Sequence, residues 1–113
     1  MKTRDYRDYL QDIINAINDI ESFTVNMTFA DFTKDKKTIN AVVRSIEIIG
    51  EATKKIPKSL KNEYPSIPWK KMAGIRDKMI HEYFGVDLES VYKTIREDIP
   101  PLKPLIKNIL KSL

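Results

Sequence analysis

Apolar residues recur every three or four positions along most of this chain, which is the spacing of one face of an α-helix. The pattern begins at residues 4–23 and predicts a first helix, with Thr3 as its N-cap and Asp5 as a favourable charge in its first turn. The apolar stripe of this helix is Tyr6, Leu10, Ile13, Ile17 and Ile20. Further on, Thr28 and Asp31 have the spacing of a capping box, which predicts a short helical turn.

A second long helix is predicted over residues 35–55, again from one apolar face. That face is formed by Ile39, Val42, Val43, Ile46, Ile49 and Ile56. Gly50 lies inside the pattern, where glycine costs up to about 1 kcal/mol relative to alanine. We therefore expect another backbone to approach Gly50 closely, for example that of a second subunit.

Prolines and glycines divide the next part of the chain into shorter helices. Pro57 opens a short helix over residues 57–64. Pro68 is expected at the first position of a third main helix over residues 69–84, and Gly85 suits the C-terminal cap of that helix.

The C-terminal part of the chain predicts two more helices. Asp87 is the expected N-cap of a helix over residues 88–98, the two prolines within 99–101 break it, and residues 102–110 form the last helix. No strand-like alternation and no internal repeat is present. The sequence therefore predicts a single all-α domain over residues 1–113, an up-down helical bundle with short connecting helices.

Composition restricts the chemistry that this domain can perform. There is no cysteine and only one histidine among 113 residues, which excludes thiolate catalysis and makes a metal site built from protein ligands alone unexpected. No apolar run approaches the roughly 20 residues of a membrane span, and no signal peptide is recognised, so we expect a soluble cytoplasmic protein. The net charge of +4 mildly favours anionic partners.

Arg76 is the anomaly of the predicted third helix. On a helical wheel it falls in the middle of the apolar stripe. The stripe consists of Trp69, Met72, Ala73, Met79, Ile80 and Tyr83. A buried arginine is costly unless it is paired. Arg76 must therefore meet a carboxylate such as Glu47 or Glu51, or face a cleft or a second subunit.

His81 and Asp77 lie one turn apart on the same flank of this predicted helix. Asp77 could accept a hydrogen bond from the imidazole of His81 and favour its charged form. On an ideal helix Arg76 and His81 diverge by about 140°, so they do not converge on one point without help from the long arginine side chain or a looser helix. Taken alone, His81 could be a capping or surface residue, and Tyr83 a core aromatic with its hydroxyl at the rim.

The order Arg76-Asp77, three residues, then His81-x-Tyr83 resembles the signature of the HepT-like proteins of the HEPN superfamily. The resemblance extends over nearly the whole chain and in the same order. It includes Arg7-Asp8-Tyr9-Leu10-Gln11-Asp12-Ile13, Arg44-Ser45-Ile46-Glu47-Ile48-Ile49-Gly50-Glu51-Ala52 and Pro65-Ser66-Ile67-Pro68-Trp69-Lys70-Lys71-Met72-Ala73-Gly74.

The resemblance implies a dimeric, metal-independent ribonuclease that needs no cofactor and acts as the toxin of a toxin–antitoxin pair. It implies Arg76 and His81 as catalytic residues, with Asp77 in support. It also implies a small nucleotidyltransferase antitoxin of the MntA type, which transfers AMP to the motif tyrosine, here Tyr83. In this family the motifs of two subunits line a shared cleft.

Physical chemistry supports this interpretation independently. Metal-free RNA cleavage needs a base, an acid and a cation near the phosphorus, and imidazole and guanidinium supply these groups. Two other interpretations stay open. The chain could be a catalytically silent module that binds a nucleotidyltransferase, or a plain dimeric helical domain in which Arg76 and His81 only stabilise the fold.

Overall fold

A computed structural model describes residues 5–77 and 87–113 of the chain. Within these residues every regular element is helical and no strand occurs. The elements are α1 (Tyr6–Phe23), α2 (Phe29–Lys34), α3 (Lys36–Lys55), α4 (Lys58–Glu63), α5 (Trp69–Ala73), α6 (Leu88–Lys93), a π-helical turn (Thr94–Asp98) and α7 (Leu102–Ser112). The predicted all-α class is confirmed.

The core forms where α1 packs on α3 and α7, while α5 packs on α3. Isoleucine dominates this core, as the apolar stripes of the sequence predict. The largest fully buried side chains are Leu10, Ile13, Ile17, Ile20, Phe32, Ile46, Ile49, Met72, Ile99, Ile106 and Ile109. Each such side chain contributes about 1.5–3 kcal/mol on burial, so the two long helices are held mainly by their apolar faces.

Short polar side chains set where the helices begin. Thr28 and Asp31 form the predicted capping box of α2, and Asp87 caps α6 as predicted. The prediction for α1 was wrong by two residues, because Asp5 rather than Thr3 is the N-cap, with Asp8 completing its capping box. Each such cap is worth about 1 kcal/mol.

Asp35 is the N-cap of α3, and its side chain accepts a hydrogen bond from the backbone N–H of Thr38. This bond is the main reason why the pKa of Asp35 lies below its ordinary value, since it stabilises the ionised carboxylate. The start of the helix that carries Gly50 therefore depends on a charged cap.

The third helix, predicted over residues 69–84, begins at Trp69 as predicted, but the prediction is wrong for residues 74–77. The α-helix ends at Ala73, with Gly74 as its C-cap, and Pro68 is the N-cap rather than the first helical residue. Beyond Ala73 the backbone makes tighter bonds three residues apart, such as the one from Asp77 N–H to Gly74 O at 3.0 Å. Glycine favours such a break because it is a poor helix former. Gly85, predicted as the C-terminal cap, lies outside the described residues.

The α1–α2 loop is tied to the helix that contains Tyr92 and Arg96. Arg96 donates from Nη2 to the carbonyl oxygens of Thr24 at 2.8 Å and Met27 at 2.9 Å, and Tyr92 Oη donates to Met27 O at 3.0 Å. A cation at the carbonyl end of α1 also interacts favourably with the helix dipole. This network fixes one end of the bundle.

The helix predicted over residues 88–98 is confirmed, although its last turn is π-helical. The backbone N–H of Ile99 donates to Thr94 O, five residues back, at 3.0 Å. Proline has no N–H for the regular ladder, so the two prolines that follow Ile99 favour the end of the helix here. The final helix continues to Ser112, two residues beyond the prediction.

Candidate active site around Arg76

Gly50 lets the backbone of α5 lie directly on α3. A Cβ atom at Gly50 would be 3.3 Å from the carbonyl oxygen of Ala73 and 3.7 Å from that of Met72. The predicted close approach at Gly50 is thus confirmed, but the backbone comes from the same chain rather than from a second subunit. Arg76 follows three residues after Ala73, so this contact determines where Arg76 lies over α3.

Arg76 does not occupy an apolar stripe, because the helix on which that stripe was drawn ends before it. Its side chain is 53% exposed, and its Nη1 atom lies 4.0 Å from Oε2 of Glu47 on α3. Of the alternatives for Arg76, pairing with Glu47 is confirmed, but the pair is partly exposed and not buried in the core. Glu51, the other candidate, pairs with Arg44 instead.

Arg44 is a member of this charge network that the sequence did not indicate. Its Nη1 atom lies 3.9 Å from Glu47 and 3.8 Å from Glu51, so Glu47 stands between Arg44 and Arg76. Glu47 is also the most enclosed of the four, with 25% of its side chain exposed. The spacing of Arg44, Glu47 and Glu51 along one helix face could have suggested their pairing. Their link to Arg76 requires the contact of α3 with α5.

A small cleft of about 130 Å³ lies where α3 meets the turn after α5. The described residues of its lining comprise three carboxylates, two cations and two small residues. The lining residues are Glu47, Gly50, Glu51, Lys54, Ala73, Arg76 and Asp77. Among residues 5–77 and 87–113, the Arg76 guanidinium is paired with Glu47, at a distance longer than a hydrogen bond. Within these two ranges the guanidinium therefore keeps N–H donors that Glu47 does not occupy.

Asp77 is exposed and lines the same cleft as Arg76. The structure therefore brings together the two adjacent polar residues of the motif. His81 and Tyr83, the other predicted site residues, lie outside the described residues. The hydrogen bond between Asp77 and His81 stays a prediction.

The described part of the chain has neither a cluster of metal ligands nor a membrane-spanning helix. No group of three or more histidine, cysteine, aspartate or glutamate side chains is arranged there to hold a metal ion. None of the helices in residues 5–77 and 87–113 has the length and apolar character needed to cross a membrane.

Comparison with known proteins gives matches over nearly the full chain. The family model described as "Ribonuclease HepT-like" matches residues 13–109. A protein of Thermococcus cleftensis named "Probable ribonuclease HepT" is 53% identical over 108 residues, which cover 96% of this chain and 98% of that protein. A Methanocaldococcus jannaschii protein named as a candidate RNase is 46% identical over 113 residues, covering 100% and 93% of the two chains. No solved structure gives a significant match.

Proposed function

Because this chain belongs to the HepT-like ribonuclease family, we propose that it is an endoribonuclease that cleaves RNA without a metal ion. Arg76 is the residue of the described structure that supports this proposal most directly. It combines a permanent charge, half exposure at the edge of a cleft, and, among the described residues, one ion pair of 4.0 Å with Glu47. An arginine placed in this way suits a bidentate grip on a phosphate.

The proposed reaction divides its roles between Arg76 and His81. A base removes the proton of the 2′-hydroxyl, the 2′-oxygen attacks the adjacent phosphorus, and the bond to the 5′-oxygen breaks as an acid protonates it. The products are a 2′,3′-cyclic phosphate and a free 5′-hydroxyl, so the step consumes no water and, in this proposal, needs no metal ion. The imidazole of His81 acts as acid or base near neutral pH, and Arg76 neutralises the phosphorane.

A two-fold dimer belongs to this proposal. One chain supplies one histidine, whereas the acid and the base are two roles. A symmetric dimer supplies the second His81 to the same cleft. Sedimentation at micromolar concentration should therefore show a species of twice 13.2 kDa.

The cleavage experiment uses a defined single-stranded RNA with excess chelator present. We expect cleavage that is undiminished by the chelator and fragments that end in a 2′,3′-cyclic phosphate. Loss of activity with chelator, restored by added metal, would contradict the metal-free mechanism. Absence of any RNA cleavage would favour a silent module that only binds its partner.

We further propose that the protein acts as a toxin whose antitoxin is a nucleotidyltransferase of the MntA type. The antitoxin would transfer AMP to Tyr83: the tyrosine hydroxyl loses its proton and attacks the α-phosphorus of ATP, and pyrophosphate leaves. The added phosphate and nucleoside would repel RNA and fill the cleft, which silences the enzyme. Intact-mass and peptide analysis after co-expression should find AMP on Tyr83. An unmodified Tyr83 in a fully neutralised complex would contradict covalent control.

A further inference from the structure

The positive charge of the chain is concentrated in one segment beside the candidate site. Residues 54–72 contain six lysines and one glutamate, a net charge of +5, whereas the whole chain has a net charge of +4. We call the six lysines the lysine surface; they are Lys54, Lys55, Lys58, Lys61, Lys70 and Lys71. None of the six forms an ion pair with a carboxylate among the described residues.

One member of the lysine surface, Lys54, lines the cleft of Arg76, and helix geometry places a second, Lys70, on the same side of α5 as a lining residue. Lys54 lines that cleft directly, two helical turns beyond Glu47 on α3, which is about 10 Å along the helix. Lys70 lies three residues before Ala73 on α5, so the two share one side of that helix. Since Ala73 lines the cleft, the exposed Lys70 lies on the cleft side as well.

The described lining of the cleft has no excess of positive charge. Among residues 5–77 and 87–113, its three carboxylates, Glu47, Glu51 and Asp77, outnumber its two cations, Arg76 and Lys54. An RNA strand that places a phosphate on Arg76 therefore needs positive charge just outside the cleft to hold the rest of its backbone. Lysine ammonium groups that have no carboxylate partner within the described parts of the chain provide this charge, and they bind phosphates without reading sequence.

We propose that Lys54 and Lys70 bind the backbone phosphates of the RNA strand next to the phosphate held by Arg76. This inference rests on the ribonuclease function proposed above and assigns it a binding surface. The strand runs from the cleft toward the end of α3, where the rest of the lysine surface continues. Binding is then driven by counterion release and depends on salt but little on sequence.

The test compares two double variants that remove the same charge. Lys54→Gln/Lys70→Gln changes the proposed contacts, whereas Lys107→Gln/Lys111→Gln changes two exposed lysines of α7 that do not line the cleft. The probe is a fluorescent single-stranded RNA with 2′-O-methyl groups, which cannot be cleaved. Its dissociation constant is measured by anisotropy across a salt series, and cleavage of the unmodified strand is measured in parallel.

In Lys54→Gln/Lys70→Gln, the loss of two phosphate contacts should make the negative slope of log affinity against log salt shallower by about 1.4 and weaken binding about 25-fold at 0.1 M salt. The α7 variant should bind close to the wild type. Equal losses in both variants would mean that only net charge matters, which overturns the inference. An unchanged affinity of Lys54→Gln/Lys70→Gln for the RNA would also overturn it. If the wild type neither binds nor cleaves RNA, the proposed function itself fails.

Discussion

Glu47 provides the sharpest test of how the structure prepares Arg76 for catalysis. Its carboxylate lies 4.0 Å from the guanidinium of Arg76 and 3.9 Å from that of Arg44. We expect Glu47→Gln, which keeps the shape and removes the charge, to lower kcat for RNA cleavage while leaving the fold intact. Glu47 is here a positioning residue, because it acts through Arg76 and not on the substrate.

The expected effect on stability is small. Two unit charges 4 Å apart attract with about 4 kcal/mol at an effective dielectric constant of 20, but water screens a side chain as exposed as Arg76. Measured pairs at exposed sites contribute about 0.2–1 kcal/mol. The free energy of unfolding of Glu47→Gln should therefore fall by less than about 1 kcal/mol.

The effect on catalysis is larger, because an unrestrained arginine loses up to about 2 kcal/mol of rotamer entropy when it grips a phosphate. If Glu47 already restricts the rotamers of Arg76 before RNA binds, removing the Glu47 charge should lower kcat by about 3- to 30-fold. Removing a negative charge from the cleft should also strengthen RNA binding, so KM should not rise.

Glu51→Gln is the matched control. Glu51 lines the same cleft and pairs with Arg44 at 3.8 Å, but it does not pair with Arg76. The control therefore removes the same charge from the cleft without releasing Arg76. Single-turnover cleavage at saturating RNA gives the comparison. Equal rates for the two variants, or a Glu47→Gln enzyme as fast as the wild type, would refute the positioning role.

Three further predictions concern the elements that hold the site. Gly50→Val should lower the free energy of unfolding by about 1–3 kcal/mol, because the valine side chain meets the carbonyl of Ala73. Gly50→Ala should change this free energy by less than about 1 kcal/mol. Equal urea midpoints for the two variants would show that α5 does not pack tightly on α3 at Gly50. Arg96→Ala should lower the free energy of unfolding by about 1–3 kcal/mol, because it removes the bonds to the carbonyl oxygens of Thr24 and Met27 in the α1–α2 connection. The loss should be seen as a lower Tm, and an unchanged Tm would contradict this. The folded pKa of Asp35 is lowered, so the ionised Asp35 cap stabilises the fold fully above its ordinary pKa of 3.8, and this contribution is lost as the pH falls through the lowered pKa. The free energy of unfolding of Asp35→Asn should therefore depend less on pH in the acid range. An identical pH profile for the variant and the wild type would count against the charged cap.

The sequence predicted most helices because short-range physics decides them. The apolar stripes of α1 and α3 and the caps at Thr28 and Asp87 depend only on residues a few positions apart. The helix predicted across Gly74 was wrong because the prediction relied on apolar periodicity alone. That periodicity continues past the glycine, but the backbone there makes hydrogen bonds three residues apart instead of the α-helical bonds four residues apart.

The site was harder to predict than the fold because it depends on contacts between distant segments. Gly50 indicated that a backbone approaches α3, but only the structure identifies that backbone as α5. The Arg44–Glu47–Arg76 network follows from this packing and could not be read from α3 alone. Arg76 was singled out on a predicted helix that ends before it, so the anomaly does not hold in the structure, and the catalytic role of Arg76 stays a prediction.

The catalytic roles of Arg76 and His81 are the central claim, and one measurement tests them most directly. Cleavage of a single defined RNA, with chelator present, is timed for the wild type, Arg76→Ala and His81→Ala, each shown by circular dichroism to keep its helices. Removing a positioned acid or base typically costs about 10²–10⁴-fold, so both variants should lose at least 100-fold in rate. A well-folded variant of either residue that cleaves as fast as the wild type would contradict the account.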